Sequence, residues 1–180
     1  MKRWTRLLMC VVTLFGVGLT ASLSMAQPAP LLSVPVAFGR GLNTAQPGNL
    51  VNHVILPDDI EVKLGGVVHF LVAGFQQVVV YKPGTQPEDI ALPPAGTTFI
   101  NDATNRFYQG ITPAGGPAPG LPITTDPSNA RNRVESVSFP ASAGTGTPPS
   151  EAADPGVYLV ICNVRNHFLD GMFAFVRVVP

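Results

Sequence analysis

The chain has 180 residues, 46% hydrophobic and only 12% charged, with 11 Lys+Arg set against 11 Asp+Glu. That balance lacks the basic footprint a nucleic-acid binder needs. No helical period of useful length appears among the 18 Gly and 19 Pro, so the composition points to short strands and generous loops.

Residues 1–26 read as a signal peptide. Lys2, Arg3 and Arg6 form a basic start, Leu7 to Thr20 is an uncharged apolar run, and Ser24-Met25-Ala26 offers the small residues that precede cleavage. The apolar run has 14 residues, against the ~20 that a spanning helix needs, so cleavage before Gln27 is predicted and no membrane span remains. The remaining 154 residues, 27–180, suit one domain in the periplasm or outside the cell. They carry 8 Lys+Arg against 11 Asp+Glu, a net charge of −3, and a single cysteine, Cys162. An unpaired cysteine in an oxidising compartment is a reactive thiol, an intermolecular bridge or a metal ligand.

In chain order, Leu31 to Phe38 reads as an edge strand at best, because Pro35 removes a ladder donor. Leu50 to Leu56 and Asp59 to Leu64 follow, separated by a Pro57-Asp58 turn. Gly65-Gly66 is expected to turn the chain into Val67 to Ala73. Gly74-Phe75-Gln76 then leads to the strand Gln77 to Tyr81. Residues 82–133 form a long Pro/Gly-rich insertion with isolated aromatics Phe99, Phe107 and Tyr108. It holds one short helical turn at Glu88-Asp89-Ile90 and one short strand at Thr98 to Asn101, and a segment of this length is usually functional or disordered. Val134 to Phe139 resumes the strand pattern, and Pro140 to Pro155 is a linker loop.

The last stretch, 156–179, organises the rest. An apolar run ends on Cys162, His167 follows five positions later and Met172 five after that, and Phe173 to Val179 closes the chain. Side chains two apart share a strand face, so Tyr158, Val160 and Cys162 point one way, as do Met172, Ala174, Val176 and Val178. Cys162 and Met172 then stand at facing ends of two core stripes, with His167 on the loop between. Gly171 lets that loop turn tightly. Thiolate, thioether and imidazole together are a soft donor set of the kind copper selects.

The C-x4-H-x4-M loop, the Gly-x-Tyr ahead of the cysteine and the YKPG strand end at 81–84 resemble the cupredoxins, the plastocyanin- and azurin-like blue-copper electron carriers. The resemblance covers much of 50–180. It implies an all-β, cupredoxin-like Greek-key sandwich of seven to eight strands, with Cys162, His167 and Met172 as copper ligands and a redox partner protein. The family's first copper histidine stands where this chain has Gln76. A blue site takes two imidazoles and a thiolate with a weak axial thioether, so one imidazole is missing by position. His69 lies about 23 Å from Gln76 along an extended strand and alternates with Phe70, so it is expected to face outward or lie under a loop. His53, between Asn52 and Val54, reads as an ordinary strand histidine. Gln76 offers an amide oxygen, a harder and weaker donor than imidazole.

Enzyme signatures are absent: there is no G-x-S-x-G, H-E-x-x-H, P-loop or glycine fingerprint, and no His-x-His pair of a multicopper oxidase. Asp58-Asp59 and Glu88-Asp89 read as solvated turn residues. Two functions stay open. One is copper binding with electron transfer through an altered site; the other is a copper-free or Cu(I)-holding interaction or storage module. One structural expectation accompanies both. The outer stripe of the final strands, Val157, Leu159, Ile161, Phe173 and Phe175, is too apolar to face water. The 82–133 insertion is therefore expected to cover it, with Phe99, Phe107 and Tyr108 as the covering side chains, and the Pro-rich arm at 27–46 is the second candidate.

Overall fold

The computed structural model describes residues 31–39, 53–113, 132–143 and 151–180. The expected leader, its expected cleavage site and the first part of the expected 50–56 strand lie outside the described residues. Eight strands and one short helix fall within them: β1 Leu31–Gly39, β2 Ile55–Leu56, β3 Asp59–Ala73, β4 Val78–Tyr81, β5 Arg106–Gln109, β6 Asn132–Ser138, β7 Gly156–Cys162, α1 Arg165–Leu169 and β8 Phe173–Val179. No helix among the described residues is long and apolar enough to cross a membrane.

The hinge of the architecture is β3. Fifteen residues would extend about 50 Å, too long for one layer of a domain this size, and the strand divides its pairing between two. Its first part, Asp59 to Lys63, pairs in parallel with β8, which continues through β7 and β4 to β5. Its second part, Val67 to Ala73, lies between β1 and β6, with β2 on the far side of β1. Gly65 and Gly66 mark the change. Gly65 has φ +88°, and a side chain on Gly66 would meet the Lys63 carbonyl at 2.7 Å. The expected turn is thus a bend within one continuous strand. Inward side chains from both layers, Phe38, Phe70 and Phe139 against Tyr158, Val160 and Val176, share one core. The chain is an all-β sandwich, as the strand pattern predicted.

The local reading changes at five places. The 50–56 strand contracts to Ile55–Leu56 within the described residues, and that two-residue strand covers only the end of β1. Pro35 lies ahead of it, on the stretch of β1 that β2 does not reach, where a missing N–H costs little. The helical turn is a 3-10 turn over Pro87–Asp89, and the strand at 98–101 is a single bridge from Phe99 to Val164. Strand β5 inside the insertion was hidden because Phe107 and Tyr108 are both buried, which erases alternation. The insertion also ends early, since Asn132 and Arg133 already belong to β6.

The apolar outer face of β7 is covered. Leu159 and Ile161 are wholly buried in a second cluster with Val79, Tyr81, Ile90, Ile100 and Phe168, and Phe173 and Phe175 pack against it half-buried. The insertion does supply the cover, but through Ile90 and Ile100. Phe107 and Tyr108 belong to the main core, and Phe99 packs on that core beside Phe75.

Candidate metal centre

The site forms where β7 ends, β4 begins and β8 begins. Cys162 pairs with Val78 across the β7–β4 ladder, and Asn163 N–H donates to the Gln77 carbonyl at 2.8 Å. Gln76 and Gln77 are thereby held against the end of the cysteine strand. Below, buried Asn163 donates through Nδ2 to Gln77 Oε1 at 2.7 Å, while Gln77 Nε2 donates to the Gly110 carbonyl at 2.9 Å. These amides satisfy one another, as buried polar groups must. Met172 is tied in through its backbone: its carbonyl accepts from Cys162 N–H at 3.1 Å, and its N–H donates to the His167 carbonyl at 3.0 Å.

Contrary to expectation, His167 rides on a helix. Helix α1 has five residues, too few to show a period, and its N-cap Val164 provides no side-chain cap. Phe168 turns into the second core. Gly171, at φ +89°, follows the C-cap Asp170 and returns the chain to β8, the place where helices favour a left-handed glycine.

Gln76 is buried and its amide oxygen is the centre of the site. The thiol of Cys162 donates to Gln76 Oε1 at 3.0 Å, His167 Nδ1 lies 2.8 Å from the same oxygen, and Cys162 Sγ and His167 Nδ1 are 3.6 Å apart. Glycine makes room for the amide: a Cβ on Gly39 would stand 2.9 Å from Gln76 Cγ and 2.4 Å from the Ala73 carbonyl. A triangle with these three sides has a circumradius of about 1.9 Å, so an ion about 0.8–1.4 Å off its plane sits about 2.0–2.3 Å from each corner, the bonding range of oxygen, nitrogen and sulfur donors. The three side chains therefore fit a first-row metal. Met172 is fully buried in the core cluster that contains Cys162.

Burial sets the protonation of the set. It pushes the Cys162 thiol up to about 12, so a metal there displaces a proton from sulfur. Burial first, then the neighbouring His53, lower His167 to about 4, against the opposing pull of Asp170. The imidazole is neutral at pH 7 and keeps a lone pair for a ligand.

His69 behaves as expected, on the outer side of β3 between Ser136 (2.8 Å) and Ser33 (3.1 Å). His53 does not. It belongs to no strand, its ring stacks on that of His167 at 3.8 Å between centroids, tilted 22°, and its Nδ1 lies 2.7 Å from Asp170 Oδ2. The reason is long-range: Gly39 N–H donates to the Val54 carbonyl, which brings residues 53–54 to the end of β1, beside Gln76. Nothing in the residues around His53 signals this. As the side chains stand, no three of His, Cys, Asp and Glu among the described residues surround a common point, so the set depends on the Gln76 amide.

Beneath the site lies a buried ion pair the strand pattern did not mark. Arg133 and Glu135, both fully buried, bond to each other on the inward face of β6. Arg133 also donates to the carbonyls of Gln76 (3.0 Å) and Ile111 (2.9 Å), and Glu135 accepts from Tyr108 OH and Ile111 N–H.

No family model matches the chain, and no curated protein matches it. Among solved structures, it is similar to a dithionite-reduced auracyanin from Roseiflexus castenholzii (18% identity, 84% of this chain and all of that one, TM-score 0.48). It is also similar to auracyanin A, a "blue" copper protein from Chloroflexus aurantiacus (15%, 84% and all, TM-score 0.40), and to oxidised plastocyanin from Dryopteris crassirhizoma (16%, 81% and all, TM-score 0.39).

Proposed function

We propose that this is an exported, cupredoxin-like copper protein with an altered type 1 site, acting as an electron carrier rather than a catalyst. The observation behind the proposal is the convergence of Gln76 Oε1, Cys162 Sγ and His167 Nδ1 within 3.6 Å of one another at one end of the sandwich. Cys162 would hold copper through its thiolate and His167 through its imidazole, which would also be the electron port; Met172 would tune the metal through its thioether, and Gln76 stands where the family has its first histidine. Copper, when bound, supplies one-electron chemistry. The protein's part is to hold the donors in fixed backbone geometry, exclude water from the sulfur and give up the thiol proton on loading. A redox partner protein is the implied recipient. A second reading, a Cu(I)-holding or copper-free module, is favoured by the closed hydrogen bonding of Gln76 Oε1, which already serves both thiol and imidazole.

Competition for Cu(I) against a chromophoric chelator tests the proposal. The purified protein should bind one Cu(I), and Cys162→Ser should remove that binding while leaving the circular dichroism unchanged. Gln76→His should strengthen Cu(II) binding. Equal Cu(I) uptake by wild type and Cys162→Ser refutes the copper site.

A further inference from the structure

The stacked pair of imidazoles carries a consequence for the metal. A donor set of one thiolate, one imidazole and one amide oxygen is poor for Cu(II), which favours nitrogen, yet a second imidazole already lies against the first. Rings 3.8 Å apart at the centroid leave no nitrogen of one more than about 6 Å from any nitrogen of the other. Two ligands of one ion, at bonds of about 2.0 Å, are about 3–4 Å apart, so the gap to close is small. The hydrogen bonding of His53 is also that of a ligand. Its Nδ1 meets the Asp170 carboxylate at 2.7 Å, and a ligating histidine characteristically gives its other N–H to a carboxylate. With Nδ1–H committed there, the lone pair is on Nε2.

We propose that His53 is the second nitrogen donor of this site, binding through Nε2 with Asp170 as its orienting carboxylate. Stacked rings do not aim their lone pairs at one point, because each lone pair lies in its own ring plane. Coordination therefore turns the His53 ring out of the stack, with the Asp170 carboxylate moving alongside it. His53 lies outside the strands, and the Asp170 side chain is 35% exposed. Gln76 Oε1 and Met172 are then the weak ligands, and the imidazole absent at position 76 is supplied from a different part of the chain.

The inference rests on the copper proposal, and one set of measurements separates the two. Metal-free protein is titrated with Cu(II) and followed by visible absorption and by electron paramagnetic resonance, with Cu(I) affinity measured in parallel. Wild type should show a strong thiolate-to-copper band and coupling to two imidazole nitrogens. His53→Phe, which keeps a ring on His167, should lose the band, show one nitrogen and bind Cu(II) at least tenfold more weakly, with a smaller loss for Cu(I). Asp170→Asn should weaken Cu(II) tenfold or more. Free imidazole should restore the band to His53→Ala, a rescue that a misfolded variant cannot show. If wild type and His53→Phe give the same spectrum and Cu(II) affinity, or wild type shows one nitrogen, His53 is not a ligand. Loss of Cu(I) binding only in Cys162→Ser would then leave the copper site standing without it. If wild type binds neither ion, both proposals fall.

Discussion

Replacing Arg133 with methionine tests the foundation on which the site is built. Arg133 and Glu135 have no exposed side-chain surface, so the substitution strands a carboxylate in the core. Breaking a buried pair from one side costs about 3–5 kcal/mol. The carbonyls of Gln76 and Ile111 also lose their guanidinium donor, at about 1 kcal/mol or more each. Allowing for overlap between these costs, Arg133→Met should lose about 4 kcal/mol or more at pH 7, equivalent to about 8–16 °C in Tm for a chain this size. Urea unfolding followed by circular dichroism measures it. The sign of the pH dependence is also set. Burial raises the Glu135 carboxyl, and Arg133 is the chief influence pulling it down. Without Arg133, the folded-state value lies further above the unfolded one, so stability is retained below the unfolded value and lost as pH rises through the folded one. The deficit should be smaller at pH 5 than at pH 8. Arg133→Met with Glu135→Leu should recover most of the loss, because an apolar pair is often as stable as a buried ion pair. A single variant within 1 kcal/mol of wild type, or a double variant no better than the single, would refute the reasoning.

Two further outcomes follow from the site. Gly39→Ala puts a Cβ 2.4 Å from the Ala73 carbonyl at φ +81°; it should cost about 1–3 kcal/mol in urea unfolding and displace Gln76, with a weaker Cu(I) site. In the metal-free protein, NMR titration should find His167 protonating at about 4, well below a solvated imidazole. Because the folded value is depressed, the associated stability is complete above the unfolded value of about 6.5 and is lost as pH falls through about 4, with an acid-shifted unfolding midpoint as the check.

The final strands show why part of this site was legible. Cys162, His167 and Met172 lie within eleven residues, and a period of two places Cys162 and Met172 on core stripes whatever the rest of the chain does. The stripes are observed as expected, with Tyr158, Val160, Cys162, Met172, Ala174, Val176 and Val178 all buried. The same alternation gave no such signal at β6. Arg133 and Glu135 stand on the inward stripe with Val137 and Phe139, and nothing in a polar-apolar pattern says that two opposite charges will share a core position. The bend in β3 was misread as a turn because two glycines permit either, and only pairing with both β8 and β6 selects the bend.

By itself, then, the sequence determined the strand class, the place of Cys162 at the end of a core stripe and the local order of soft donors, because strand period and loop spacing act over a few residues. Tertiary structure decided which distant groups meet them. Gln76 reaches Cys162 across 86 positions, and His53 reaches Asp170 across 117. Those meetings depend on which strand ends pair, on a glycine at 39 narrow enough to admit an amide, and on an ion pair holding the Gln76 carbonyl. Each is a product of packing, with no signature in the neighbouring residues.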